Sequence, residues 1–184
     1  MSYFAAAVAR HPDGWSAVEV SLADAADVED VADRLRDATP GADVSLLFVE
    51  SEDAYLAILR LDQGEDLRIF GSDRLFAQES RLGALLLADV GTPLPELAAV
   101  ELAMVNGDGS GHGDDDPIGD ETDGLLTGSD VDPVGDPEIL ADLGIPASKL
   151  LELCGQEGML PSDITAELCQ MLGCGEEVEE LRVA

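Results

Sequence analysis

Positive charge is the scarcest resource of this chain. One lysine, Lys149, and eight arginines stand against forty aspartates and glutamates in 184 residues, for a net charge of −31 at pH 7. The cations are scattered singly apart from the pair Arg34 and Arg36, so no basic patch exists to grip a phosphate backbone or an acidic lipid headgroup. Direct nucleic-acid or peripheral membrane binding is therefore not expected. No apolar run reaches the roughly 18 residues of a membrane span, and Met1 to Ala5 carries no basic segment, which makes the cytoplasm the expected location. Cysteine is limited to Cys154, Cys169 and Cys174, with no CxxC among them. They are expected to be reduced, buried helix residues, because a zinc site would need a further ligand that the sequence does not offer. The two histidines, His11 and His112, lie far from any cysteine or nucleophile, so both are expected to face solvent. Aromatics make up only 4% of the residues; Phe4, Trp15, Phe48, Tyr55 and Phe70 fall on expected strands, where they suit a core better than a base-stacking platform.

What is present is enough apolar residue, 46%, to build a core. Charge is spread unevenly along the chain: residues 1–105 carry −13, residues 106–136 carry −10 with no cation at all, and residues 137–184 carry −8. The middle segment is made largely of Gly, Asp and Pro and cannot bury enough surface to offset chain entropy. It reads as a flexible acidic linker between an α+β domain, 1–105, and a small helical module, 137–184. Within it, Asn106, Asp108, Ser110, Gly111 and Asp114 imitate the start of a calcium loop, but Pro117 stands where the closing glutamate belongs. Gly107, Gly109, Gly111 and Gly113 lack the lysine of a phosphate loop, and the neighbouring aspartates would repel phosphate. No metal and no cofactor are expected.

In the first domain, Tyr3 to Arg10 and Trp15 to Val20 flank a Pro12, Asp13, Gly14 turn and predict a β-hairpin. Ser21 to Asp24 loosely resembles a capping box, and Val28, Val31, Ala32 and Leu35 recur at helical spacing, which predicts a helix over about 27–38. Val44 to Val49 and Ala54 to Leu61 predict two adjacent central strands, with Glu50 to Asp53 as the turn between them. Asp62 to Asp66 is a further turn, Leu67 to Phe70 a strand, and a second helix is expected from near Arg74. Leu94 to Val105 offers another helix behind Pro95. The order β-β-α-β-β-β-α, with short connections, predicts an antiparallel sheet with helices available to cover one face, an α+β fold. In the last module, Pro137 to Gly144, Ser148 to Gly155 and Ser162 to Gly173 each begin with Pro or Ser and end with Gly, and read as short helices. Leu150, Leu151, Leu153, Ile164, Leu168, Met171 and Leu172 give them apolar faces that must pack on one another, on the first domain or on a partner.

Carboxylate pairs such as Glu50 with Glu52 and Asp62 with Asp66 fall in expected turns, where charge is solvated and acid–base work is not favoured. No catalytic residue emerges. Tyr3 to Val8 with Gly14 and Trp15, Leu46 to Glu50, Glu52 to Arg60, Arg68 to Phe70 with Ser72 and Asp73, and Gly83 to Leu87 together resemble the actinobacterial tRNA adenosine deaminase-associated proteins. That resemblance implies a small cytoplasmic bacterial protein, named for a gene lying beside that of a tRNA adenosine deaminase. The deaminase chemistry itself needs H-x-E and P-C-x-x-C zinc signatures, and this chain has neither. The expectation is thus a non-enzymatic accessory protein that meets a cationic protein surface, such as the tRNA-binding face of the deaminase, through Glu50, Glu52, Asp53, Asp114, Asp115 and Asp116. Two other readings stand beside it: a homodimer formed through sheet edges or the leucine-bearing helices, and an unrecognised hydrolase or transferase.

Overall fold

The computed structural model describes residues 3–51, 54–74, 80–87 and 132–183. Strand β1 (Tyr3–His11) pairs antiparallel with β2 (Gly14–Glu19) in the expected hairpin, and Gly14 occupies the tight corner at φ +140°. Helix α1 (Val28–Ala38) buries the four apolar residues whose spacing predicted it. Its start differs from the expected Ser21 to Asp24 box. Asp24 sits at φ +64°, outside the helical region, so the chain turns once more before Asp27 caps the helix. The Asp27 carboxylate accepts from Asp30 N at 2.9 Å, and the Asp30 carboxylate accepts from Ala26 N at 3.0 Å.

Strands β3 (Val44–Ser51), β4 (Tyr55–Asp62) and β5 (Asp66–Gly71) follow as two more antiparallel hairpins. Gln63 and Gly64, both at positive φ, make the second turn. Glu50, expected in a turn, is instead a strand residue, because β3 continues through Ser51 to pair with Tyr3 on one side and Tyr55 on the other. Arg74 is helical, where the second helix was expected to begin, and residues 75–79 after it lie outside the described residues. A further helix, α2 (Arg81–Leu87), follows, its first turn held by Ser80 Oγ accepting from Gly83 N at 2.8 Å. The helix expected at Leu94 to Val105, the calcium-like and glycine-rich motifs and residues 106–131 of the expected linker lie outside the described residues.

The chain is next described at Asp132. Residues 132–136, read from the sequence as the end of the linker, include β6 (Val134–Gly135), which pairs antiparallel with β5 and completes the sheet order β2-β1-β3-β4-β5-β6. The helix expected over Pro137 to Gly144 is only a single 3₁₀ turn, Ala141–Leu143, since Gly144 at φ +98° and Pro146 end it. Helices α3 (Ala147–Cys154) and α4 (Pro161–Leu172) match expectation, and α5 (Gly175–Val183) was not foreseen.

Both faces of the sheet are covered. Ala5, Ala7, Leu47, Val49, Ala57 and Leu59 pack under α1 and α2, while Ala6, Val8, Leu46, Phe48, Leu56, Ile58 and Phe70 pack against residues of α3, α4 and α5. This explains why β3 and β4 read as continuous apolar runs rather than alternating ones. The C-terminal helices thus take the sheet as their packing surface. Phe48, Tyr55 and Phe70 are fully buried, and Phe4 and Trp15 lie half-buried beneath the C-terminal helices.

Candidate functional site

Most of the few cations of this chain bond to its own acids and carbonyls, although only Arg60 is buried and Arg10, Arg36 and Arg81 are exposed. Arg60, on the sheet face beneath the C-terminal segment, is 3% exposed. Its Nε and Nη2 donate to Asp62 Oδ1 at 3.0 and 2.7 Å, its Nη1 donates to Ile139 O at 2.7 Å, and both Nη atoms meet the Asp142 carboxylate, Nη2 at 2.6 Å from Oδ2. Arg68, directly opposite Arg60 across β4 and β5, donates to Asp62 Oδ2 at 3.1 Å and to Asp136 Oδ2 at 3.4 Å. Two arginines side by side are tolerated because three aspartates, two of them from the returning C-terminal segment, surround them. The hydrogen bonds that Arg60 donates to Asp142 hold the Asp142 carboxyl below the usual carboxylate range, and the same bonds hold the Arg60 guanidinium above its ordinary value against the opposing effect of burial.

Other cations are engaged in the same manner. Arg34 Nη1 donates to Ser21 O at 2.6 Å and Ala23 O at 2.7 Å, fastening the loop before α1. Arg36 reaches Gly64 O in the β4–β5 turn and also pairs with Asp33. Arg74 pairs with Asp132 at 3.6 Å and Lys149 with Glu152 at 3.4 Å. Arg182, near the end of α5, pairs with Glu50 and lies over the Phe4 ring at 4.8 Å from its centroid.

Carboxylates hold the exterior by default. Glu29 and Asp37 on α1, Glu167 on α4 and Glu176, Glu179 and Glu180 on α5 are exposed and carry no ion pair among the described residues. Of the six acids singled out from the sequence, only Glu50 is described. It is 6% exposed and committed to Arg182, so the expectation of a solvated turn charge fails there. Glu52, Asp53, Asp114, Asp115 and Asp116 lie outside the described residues. Asp62, also expected in a solvated turn, ends β4 as the shared acceptor of Arg60 and Arg68. The acids of α5 were missed. The run Glu176, Glu177, Glu179, Glu180 was a visible signal, but with only Val178 buried the helix has little apolar periodicity to announce it.

The thiols are buried. Burial pushes the Cys154 thiol up to about 12, and Cys169 is raised chiefly by a hydrogen bond with Cys174 and also by burial. Among the described residues there is no cluster of three or more His, Cys, Asp or Glu able to hold a metal ion, and no helix long and apolar enough to cross a membrane. A small cleft of about 90 Å³ between α4 and α5 is lined by Gln170, Glu176, Glu179 and Arg182 with Ala166, Gly175 and Val178. It gathers charged side chains without a nucleophile.

None of the curated proteins and none of the solved structures compared with this chain matches it. A family model does: that of the Rv3753c-like tRNA adenosine deaminase-associated proteins, over residues 3–175. The match takes in the sheet, α1 to α4 and the segment between them, and the chain belongs to this family.

Proposed function

We propose that this member of the deaminase-associated family is a non-enzymatic accessory protein that docks on a tRNA adenosine deaminase and covers a cationic patch with its own acidic surface. The observation that carries the reading is that the few cations are engaged within the chain: Arg34, Arg36, Arg60, Arg68 and Arg182 bond to its own carbonyls and acids, while Glu167, Glu176, Glu179 and Glu180 are exposed and carry no ion pair among the described residues. A surface of that kind attracts a basic protein at long range and repels RNA. The contact we favour is the outer side of α4 and α5, with Glu167, Glu176, Glu179 and Glu180, joined by the sequence-derived acids Glu52, Asp53, Asp114, Asp115 and Asp116. Glu50 contributes by anchoring α5 through Arg182 rather than by touching the partner. Membership of a family described as tRNA adenosine deaminase-associated supports this choice of partner; the missing H-x-E and P-C-x-x-C signatures argue against a deaminase activity of its own.

Calorimetric titration into the deaminase at low and moderate salt tests this. Binding should weaken as salt rises, and the fourfold variant Glu167→Gln, Glu176→Gln, Glu179→Gln, Glu180→Gln should bind about tenfold more weakly at low salt. Absence of heat at low salt would sink the reading. A second reading, a homodimer, is favoured by one feature: β2 is an edge strand with Val18 40% exposed on it. Light scattering of the protein alone separates the two, since a dimer doubles the mass without any deaminase present.

A further inference from the structure

Helix α4 ends in a Schellman turn. Gly173, in the left-handed region at φ +86°, donates to Gln170 O at 3.2 Å, and Cys174 N donates to Cys169 O at 2.8 Å. In this turn the residue three from the helix end and the second residue beyond it are brought together, ordinarily as a hydrophobic contact. Here both positions are cysteine and both are fully buried. A disulfide needs its two backbones held close, and the turn supplies this through the 2.8 Å bond from Cys174 N to Cys169 O.

Access to the pair is controlled by α5. Cys174 immediately precedes that helix, and Cys174 O accepts from Val178 N at 3.3 Å. The helix is pinned to the sheet by Val178, by the half-buried Leu181, and by Arg182 in its pair with Glu50 over Phe4. The Glu50–Arg182 pair therefore helps to hold down the helix that follows directly on Cys174. Cys154, on α3, takes no part in the turn.

We propose that Cys169 and Cys174 form a reversible dithiol–disulfide pair, shielded while α5 is docked and closed by a low-molecular-weight disulfide when α5 lifts from the sheet. One cysteine, as thiolate, attacks a sulfur of the small disulfide and releases one small thiolate, leaving a mixed disulfide on the protein. The other cysteine then attacks the protein-bound sulfur of that mixed disulfide, forms the Cys169–Cys174 bond and releases the second small thiolate. The protein is oxidised by two electrons, the small disulfide is reduced to two thiols, and the two cysteine protons end on them. While both thiols remain buried, attack is suppressed.

The test treats full-length protein with oxidised glutathione and follows intact mass with peptide mapping, free thiols being alkylated afterwards. The expected result is loss of about two mass units with a Cys169–Cys174 link and an alkylated Cys154, reversed by excess reduced thiol. Closure should be about tenfold faster in Arg182→Gln and in Glu50→Gln, and Arg182→Lys should recover part of the slow rate. The Cys154→Ser variant should close like the unaltered protein. A bridge that includes Cys154, a mixed disulfide that never resolves, or equal rates with and without the Glu50–Arg182 pair in variants that retain native circular dichroism would overturn the proposal.

Discussion

Arg60 is 3% exposed, whereas the Asp142 side chain that grips it is 57% exposed, so removing either end of the pair has unequal consequences. Arg60→Ala strips Asp142 and the buried Ile139 carbonyl of this donor and leaves Asp62 with Arg68 alone, and should lower stability by about 3 kcal/mol. Asp142→Asn leaves the other contacts and exposes the lost charge to water, so its effect should stay below about 1 kcal/mol at neutral pH. Urea titration of the two variants checks the order. Because the Asp142 carboxyl is held below its ordinary value of 3.8, its ionised form contributes stability that is complete above that value and disappears as pH falls through the depressed one. Asp142→Asn should therefore flatten the loss of stability on acidification in that window, measurable as thermal midpoint against pH.

Gly135 presents a different residue-scale constraint. It sits at φ +92°, and a Cβ there would lie 2.2 Å from Ile69 O in the neighbouring strand. Gly135→Ala should cost about 3 kcal/mol, through both the backbone conformation and the displaced strand pairing. Thermal unfolding compared with Gly144→Ala, where φ is also positive at +98° but nothing lies within 4 Å, separates the clash from the conformational strain.

At the scale of the element, helix α1 is the clearest case of a feature written in local sequence. Its buried residues recur every three or four positions, and its cap is a nearby aspartate. Asp27→Ala should remove the cap bond to Asp30 N and destabilise the protein by about 1 kcal/mol, with denaturant slope unchanged. Hairpins β1–β2, β3–β4 and β4–β5 were equally legible, because each joins apolar runs across a turn of a few residues. Legibility failed where the partner is remote in sequence. Glu50 read as a solvated turn acid because Arg182, which lets it stay buried, is 132 residues away. Asp142 gave no sign of its role, since Arg60 is 82 residues distant. Strand β6 is two residues long and glycine-containing, so it carries no periodicity of its own and exists only as a complement to β5. The unbroken apolar runs of β3 and β4 did hold a clue to the covering of both sheet faces, since a strand wet on one side alternates.

For the molecule as a whole, the central sheet is a shared wall. One set of helices lies on one side and the C-terminal set on the other, while β6 joins the second set to the edge of the same sheet. The candidate acidic surface inherits its position from this layering, because α4 and α5 carry their glutamates outward only while Leu168, Leu172 and Val178 remain seated on the sheet side. Residues 132–183 are thus retained by strand pairing, the Arg60 and Arg68 cluster and a common core, independently of the peptide bonds that precede Asp132. A protease cut within 106–131 should consequently yield two fragments that migrate separately after denaturation yet elute together under native conditions. The severed chain would then behave as a non-covalent heterodimer of its own halves, able to reassemble after separation, with an affinity that reports how strongly the sheet holds its returning layer.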